Sequence, residues 1–143
     1  MSGTGTDTSM SRQSPSGYAE PVLLVSLGAF VGANLRYGVG LAIGSSLLST
    51  ALVNVLGSYA LGVLVSQAEV IDAVSARGQR VLGTGLLSSF TTYSTFVLDT
   101  VTAAPLVGVG SLLGSYAFGF AGAVLGCETV QRTAGDPARA GDA

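Results

Sequence analysis

The sequence predicts an all-α membrane protein that crosses the bilayer with four transmembrane helices. Hydrophobic residues make up 48% of the 143-residue chain and charged residues only 10%, whereas a soluble domain usually carries about 25% charged residues. The mean hydropathy, +0.60, is correspondingly high. The apolar residues fall into four blocks, and each reaches the ~20 residues that a helix needs to cross a bilayer. The length suits one domain, so we expect a single four-helix membrane unit.

The four apolar blocks give the order of elements along the chain. The predicted spans are residues 22–43, 47–68, 81–103 and 106–127. Pro21 suits the first turn of a helix, where its missing N–H costs nothing. Residues 1–17 are rich in Ser, Thr and Gly, a composition typical of a disordered tail. We therefore predict a disordered N-terminal tail (1–20), a four-helix transmembrane domain (21–128) and a disordered C-terminal tail (129–143).

The composition excludes several classes of function. The six basic residues are all Arg and form no basic run, so we expect no nucleic-acid partner. The absence of His, together with a single Cys, removes the usual transition-metal sites. No nucleophile–base pair is evident, so the chain is not expected to be an enzyme. No predicted span has an Asp or Glu near its middle, whereas a proton-coupled exporter usually needs such a carboxylate.

The arginines predict the orientation in the membrane. Four spans place both termini and the loop 69–80 on the same side. That side carries Arg12, Arg77, Arg80, Arg132 and Arg139, and the other side carries only Arg36. Under the positive-inside rule, both termini are cytoplasmic in a multi-pass protein of the cell membrane.

Glycine is unusually abundant, with 21 residues that lie mostly within the spans. Three pairs are spaced four residues apart: Gly28 and Gly32, Gly110 and Gly114, and Gly122 and Gly126. This spacing lets helix backbones approach closely, so it predicts tight helix packing. The hexapeptide GSYALG at 57–62 recurs as GSYAFG at 114–119. The recurrence could come from shared composition, and an internal duplication is the alternative explanation.

The segment 83–96, GTGLLSSFTTYSTF, is the candidate functional site. Seven of the eight residues from Ser88 to Thr95 carry a hydroxyl group, yet no charge occurs between Arg80 and Asp99. Lipid offers no water to such groups, so they must face protein, one another or a polar pathway. The crowded hydroxyls compete for backbone hydrogen bonds and predict a helix break near 88–92. A broken helix leaves carbonyls that can hold a cation and N–H groups that can hold an anion.

Other polar residues in the spans allow two interpretations each. Asn54, near the middle of the second span, either makes a helix–helix hydrogen bond or offers two donors to an anion. Arg36 either extends to the membrane interface or raises the local anion concentration at a pore mouth. Tyr93 and Phe96 share a helix face, and they either pack in the core or turn their positive ring edges toward an anion.

Three stretches resemble the small four-span fluoride channels of the Fluc (CrcB-type) family. They are LGAFVGANLRYGVG at 27–40, TALVNVLGSYALG at 50–62 and FTTYSTF at 90–96, and the resemblance extends over 22–127. It implies a fluoride-selective channel for passive efflux of cytoplasmic fluoride, with the domain 21–128 as the channel. It also implies an antiparallel dimer with two pores, surrounded by membrane lipid, and a structural Na⁺ at the dimer interface.

The resemblance further implies roles for individual residues. The pore would be lined, and fluoride bound, by Asn54, Tyr93, Ser94, Thr95, Phe96 and Ser115. Arg36 and Asp99 would lie at the pore entrance. The backbone carbonyls of Ser88 and Thr91 would hold the sodium ion.

The chain departs from the family pattern at three places. The usual Gly-Gly is Ser88-Ser89 here, so residues with a Cβ must make the tight turn. The first aromatic residue of the pair is Tyr93 instead of Phe. The fourth-span tyrosine of the family corresponds to Ser111.

The arginine bias bears on the dimer, because an antiparallel homodimer needs roughly balanced loops. We therefore hypothesise that this subunit pairs with an oppositely oriented homologous subunit, and a homodimer is the alternative. A small four-span exporter and a non-conducting membrane assembly subunit are the alternative functions.

Overall fold

The computed structural model describes residues 16–70 and 74–134. Of the predicted tails (1–20 and 129–143), residues 1–15 and 135–143 lie outside the described residues. The described chain is helical, with short connections. Its elements are α1 (Ser16–Ile43), α2 (Ser46–Val70), α3 (Ala76–Gln79), a π-helix (Arg80–Leu87), α4 (Ser88–Phe90), α5 (Ser94–Thr102) and α6 (Pro105–Ala134).

Four helical stretches are long and apolar enough to cross a membrane. They are Ala19–Ile43, Ser46–Glu69, Ala76–Thr102 and Pro105–Ala134. The third stretch comprises α3, the π-helix, α4 and α5. These stretches confirm the predicted all-α class with four spans.

The first and last helices extend beyond the predicted domain boundaries. Helix α1 begins at Ser16, which makes Pro21 its sixth residue instead of a residue of the first turn. Helix α6 ends at Ala134, six residues past the predicted boundary at 128. Ion pairs accompany both extensions, since Arg77 Nε lies 2.6 Å from Glu20 Oε1 and Arg132 Nη2 lies 2.6 Å from Glu128 Oε2. Arg132 also stands in the last turn of α6, where a cation is favoured by the helix dipole.

The helices pack as two closely associated groups. Helix α1 lies along the π-helix and α4, and α2 lies along α6. Helix α5 contacts both α6 and α2. The contact between α1 and α2 is much smaller, so the third span connects the two groups.

Glycine brings the helix backbones into direct contact. A Cβ added at Gly28 or Gly32 would collide with the carbonyl oxygens of Val81 or Leu86. Gly122 and Gly126 lie in the same way against the backbone of α2. Two of the three predicted pairs therefore pack within the chain. The third does not, because within the described residues a Cβ at Gly110 or Gly114 would meet nothing within 4 Å.

The buried side chains are few, and half of them are polar. The buried apolar side chains are Val53, Leu64, Phe96 and Val130, and the buried polar ones are Ser49, Thr50, Ser66 and Thr92. Large apolar side chains cover the outer faces of the long helices. A soluble monomer rarely exposes so much continuous apolar surface. In the hydrocarbon of a membrane, lipid tails cover such a surface without a loss of free energy.

We expect Gly126→Ala to separate α2 from α6. The added Cβ would meet the carbonyl oxygen of Tyr59 and, at 2.9 Å, the amide nitrogen of Val63. Backbone atoms cannot move aside without shifting a helix, so the free energy of unfolding should fall by about 1–3 kcal/mol. Denaturant titration in detergent micelles measures this change.

The matched control is Gly38→Ala in α1, where the added Cβ has open space. This variant should be as stable as the wild type or slightly more stable, because Ala is the better helix former. Equal losses in the two variants would contradict the close approach of α2 and α6.

Candidate functional site

The hydroxyl-rich segment contains the three residues that separate α4 from α5. Helix α4 ends at Phe90 and α5 begins at Ser94. Thr91 has an extended backbone, with φ −77° and ψ 161°. Ser88 keeps ordinary helical angles, φ −62° and ψ −33°. The substitution of Ser for Gly at position 88 therefore demands no left-handed backbone.

Thr92 exchanges its helical partner for a side chain of α2. In a continuous α-helix its N–H would donate to the carbonyl of Ser88. Here the Thr92 N–H donates to Asn54 Oδ1 at 2.8 Å, and Asn54 Nδ2 donates to the Thr92 carbonyl at 3.0 Å. One amide side chain thus satisfies both backbone groups of Thr92. One N–H of the Asn54 amide is left for another acceptor, because the group carries two.

Thr95 is diverted in a similar way. Its N–H would donate to the Thr91 carbonyl in a continuous helix, but it donates to Thr92 Oγ1 at 3.3 Å. The Thr92 hydroxyl itself donates to Thr95 Oγ1 at 3.0 Å. The carbonyls of Ser88 and Thr91 have therefore both lost their helical donors.

Arg36 reaches this segment from α1. Its Nη1 donates to the Thr91 carbonyl at 3.4 Å, across 55 positions of sequence. The side chain is only partly exposed. The guanidinium thus lies next to the end of α4 and is partly buried.

Asp99 ties α5 to the start of α2. Its carboxylate accepts hydrogen bonds from Ser46 Oγ at 2.8 and 3.0 Å and from Thr50 Oγ1 at 2.9 Å. Ser46 is the first residue of α2. A negative charge is favoured at that end of a helix by the helix dipole, and the two hydroxyls add direct donors.

A first cavity of about 290 Å³ lies between α2, α5 and α6. Four of the six predicted pore residues line it: Asn54, Tyr93, Phe96 and Ser115. The same wall contains Ser58, Tyr116 and Phe120, which sequence reasoning did not select. Ser111, the counterpart of the family's fourth-span tyrosine, is not among the lining residues.

Four aromatic rings form a continuous row beside this cavity. The ring centroids of Tyr93 and Phe96 are 6.4 Å apart, and those of Phe96 and Tyr116 are 6.2 Å apart with planes at 86°. Phe120 continues the row, 6.4 Å from Tyr116. An edge-to-face pair turns the positive edge of one ring toward the face of the other. The spacing of Tyr116 and Phe120 on one face of α6 was the sequence signal for the second half of the row.

Four other predicted site residues line two further cavities. A second cavity, of about 380 Å³, is lined by Ser88 and Thr91 and shares Asn54, Ser58 and Tyr93 with the first. A third, of about 290 Å³, is lined by Arg36 and Thr95 with several hydroxyl-bearing residues of α2. Thr95 is thus grouped with Arg36 instead of with Tyr93 and Phe96. Ser94 is exposed and lines none of the three cavities.

Four membrane-length helices with open cavities between them define a small multi-pass membrane protein. The sequence profile of the family described as "CrcB-like protein, Camphor Resistance (CrcB)" matches residues 23–127. The chain therefore belongs to the CrcB family.

Curated relatives agree with this assignment. The chain is 49% identical over 116 residues to "Fluoride-specific ion channel FluC 1" of Haloarcula marismortui, which covers 81% of this chain and 90% of that protein. It is 44% identical over 119 residues to "Fluoride-specific ion channel FluC 2" of Halobacterium salinarum, covering 82% and 92%. A protein of Natronomonas pharaonis, also named FluC 1, is 38% identical over 111 residues, covering 77% of this chain and 93% of its own length.

We expect Asn54→Leu to destabilise the segment between α4 and α5. The variant keeps the branching of the side chain at Cγ but leaves the N–H and the carbonyl of Thr92 without partners. Two unpaired backbone groups should lower the free energy of unfolding by about 2–4 kcal/mol. Denaturant titration measures the loss, and amide hydrogen exchange at Thr92 should accelerate in parallel.

Asn34→Leu is the matched control, because Asn34 Nδ2 donates only to the Phe30 carbonyl of its own helix and is exposed. Its effect should stay below about 1 kcal/mol. If Asn54→Leu cost no more than this control, the two bonds to Thr92 would not be stabilising.

Proposed function

We propose that this protein is a fluoride-selective channel through which cytoplasmic fluoride leaves the cell passively. The first cavity carries this proposal, because it combines neutral hydrogen-bond donors with aromatic ring edges inside a membrane span. Fluoride holds its water tightly, so a selective path needs donors dense enough to replace that shell. Three relatives named as fluoride-specific ion channels support the same function.

The pore would run along the aromatic row. Asn54, Ser115 and the edges of Tyr93 and Phe96 would contact the ion, since these four groups face one cavity. Ring edges attract an anion weakly and leave a narrow passage, which disfavours larger and less strongly hydrated anions. Arg36 and Thr95, in the third cavity, would lie toward the entrance, and Asp99 would stand at the mouth.

Passive conduction fits the available charges better than proton-coupled export does. Asp99 is the one carboxylate between the predicted ends of the third span, and two hydroxyl groups already hold it. An exporter would need a carboxylate free to take up and release protons within a span. No described span offers one near its middle.

The working unit would be an antiparallel dimer of residues 21–128. Tyr93 is 73% exposed and Ser94 is exposed, so a second chain is needed to enclose both residues in a pore. Gly110 and Gly114 offer a smooth helix face to such a chain. Membrane lipid would cover the remaining apolar surface. The arginine bias favours an oppositely oriented homologous subunit over a second copy.

A structural sodium ion would bind at the centre of the dimer. The carbonyls of Ser88 and Thr91 fit this ion, because the hydrogen bonds to Asn54 and Thr92 Oγ1 have taken their helical donors away. Freed carbonyls of a broken helix are typical ligands for such a cation. Arg36 bonds to the same Thr91 oxygen. The Thr91 carbonyl would therefore have to give up this hydrogen bond in order to hold a sodium ion.

Liposomes test the function directly. Protein purified from its native membrane, with any homologous subunit that assembles with it, should release fluoride at least about tenfold faster than chloride, a difference of about 1.4 kcal/mol in barrier height. A protonophore should leave the selectivity unchanged, because passive conduction uses no proton gradient. Equal fluoride and chloride release would contradict the channel, and release that requires a proton gradient would indicate the exporter.

Reporter fusions test the orientation. A fluorescent protein and a periplasmic phosphatase, each fused after Ala143, should give fluorescence without phosphatase activity, because the arginines hold both termini in the cytoplasm. The double substitution Arg77→Gln and Arg80→Gln removes the pair nearest the spans and should yield both signals. Comparable activity of both reporters on the wild-type chain would show dual orientation and would favour a homodimer.

A further inference from the structure

The repeated hexapeptide has a structural consequence that the proposed pore does not use. GSYALG lies in α2 and GSYAFG lies in α6. The serines of the two copies, Ser58 and Ser115, line the same first cavity from opposite helices. The copies thus supply one hydroxyl each to a shared space, although they are 57 positions apart in the sequence.

Ser58 lies where the first and second cavities meet. Only three residues line both cavities: Asn54, Ser58 and Tyr93. Ser58 is one helical turn from Asn54, so both side chains project from the same face of α2. These three groups therefore lie where the two cavities adjoin.

The surroundings of Ser58 keep its hydroxyl accessible. A Cβ added at Gly57 would collide with Thr91 Cγ2, so α2 lies directly against the segment between α4 and α5 at this point. On the other side, the atom nearest to a Cβ added at Gly119 is Ser58 Oγ, at 3.6 Å. A larger residue at position 119 would cover the hydroxyl. Gly57 of one copy and Gly119 of the other thus place Ser58 and leave its hydroxyl uncovered.

The hydrogen bonds in this region leave few donors for an ion. Asn54 already uses one amide N–H to donate to the Thr92 carbonyl and its Oδ1 to accept from the Thr92 N–H. Within the part of the chain that the structure describes, Ser58 Oγ has no hydrogen-bond partner. On α2, the free donors at the junction are therefore the Ser58 hydroxyl and the second N–H of Asn54, and the phenolic O–H of Tyr93 is a further donor beside them.

We infer that Ser58 is a fluoride ligand at the junction of the two cavities. Its hydroxyl and the free N–H of Asn54 donate to the ion, and Tyr93 lines the same junction from the segment between α4 and α5. Ser115 takes the ion next, farther along the first cavity. This inference rests on the proposed fluoride channel and adds a residue to its pathway.

Three variants reconstituted in the same way test the role of the hydroxyl. Ser58→Ala removes one hydrogen bond to a charged ligand and should slow fluoride release by about 10- to 100-fold. Ser58→Thr keeps the hydroxyl and should stay within about threefold of the wild type. Ser66→Ala is the matched control on the same helix, because Ser66 lies two turns farther along and lines neither cavity. Its release rate should remain that of the wild type.

A second measurement separates ion binding from folding. The fluoride concentration at which the release rate is half-maximal should rise in Ser58→Ala, while its unfolding midpoint stays equal to that of Ser66→Ala. An unchanged release rate in Ser58→Ala would overturn the inference and leave the channel intact. Equal losses in Ser58→Ala and Ser58→Thr would also overturn it, because the hydroxyl would then be irrelevant. Wild-type liposomes without fluoride selectivity would remove the proposed function itself.

Discussion

The pair of hydrogen bonds between Asn54 and Thr92 is the interaction on which the rest of the site depends. Hydrocarbon has no water to satisfy a backbone N–H or carbonyl, so a helix inside a membrane cannot stop without a substitute partner. Asn54 supplies that substitute for both groups of Thr92. Helix α4 can therefore end at Phe90 and α5 can begin at Ser94. The same exchange takes the helical donor away from the Ser88 carbonyl.

A short amide side chain can make this exchange only if the backbones lie very close together. Gly57 allows that approach, because any side chain there would meet the methyl group of Thr91. Gly28 and Gly32 hold α1 against the opposite side of the same span, and Gly122 and Gly126 hold α6 against α2. These five glycines therefore serve the site as well as the packing of the helices. Bulkier interfaces would leave Asn54 out of reach of Thr92.

Properties that depend on a single segment could be predicted from the sequence. Apolar length gave the four spans, and the run of hydroxyls located the segment between α4 and α5. Properties that depend on how helices face one another could not be predicted. The periodicity of the sequence does not show that Asn54 bonds to Thr92 or that Thr95 lines a cavity together with Arg36. Nor does it show that the rings of Phe96 and Tyr116 pack edge to face. The outer ends of α1 and α6 were not predicted, because their polar composition resembles that of a disordered tail. The sequence alone does not show that Glu20 and Glu128 form ion pairs with arginines there.

The hydrogen bonds also show which groups remain for an ion. The charged groups nearest the cavities are engaged within the chain, since Asp99 accepts from Ser46 and Thr50 and Arg36 donates to Thr91. What remains along the aromatic row is neutral: hydroxyl groups, one amide N–H and ring edges. A fixed positive charge would hold any anion and would slow its departure. Neutral donors instead stabilise an ion according to the strength of the hydrogen bonds that it accepts. Among the halides, fluoride is the smallest ion and accepts the strongest hydrogen bonds. A pathway built from such groups therefore favours fluoride without trapping it.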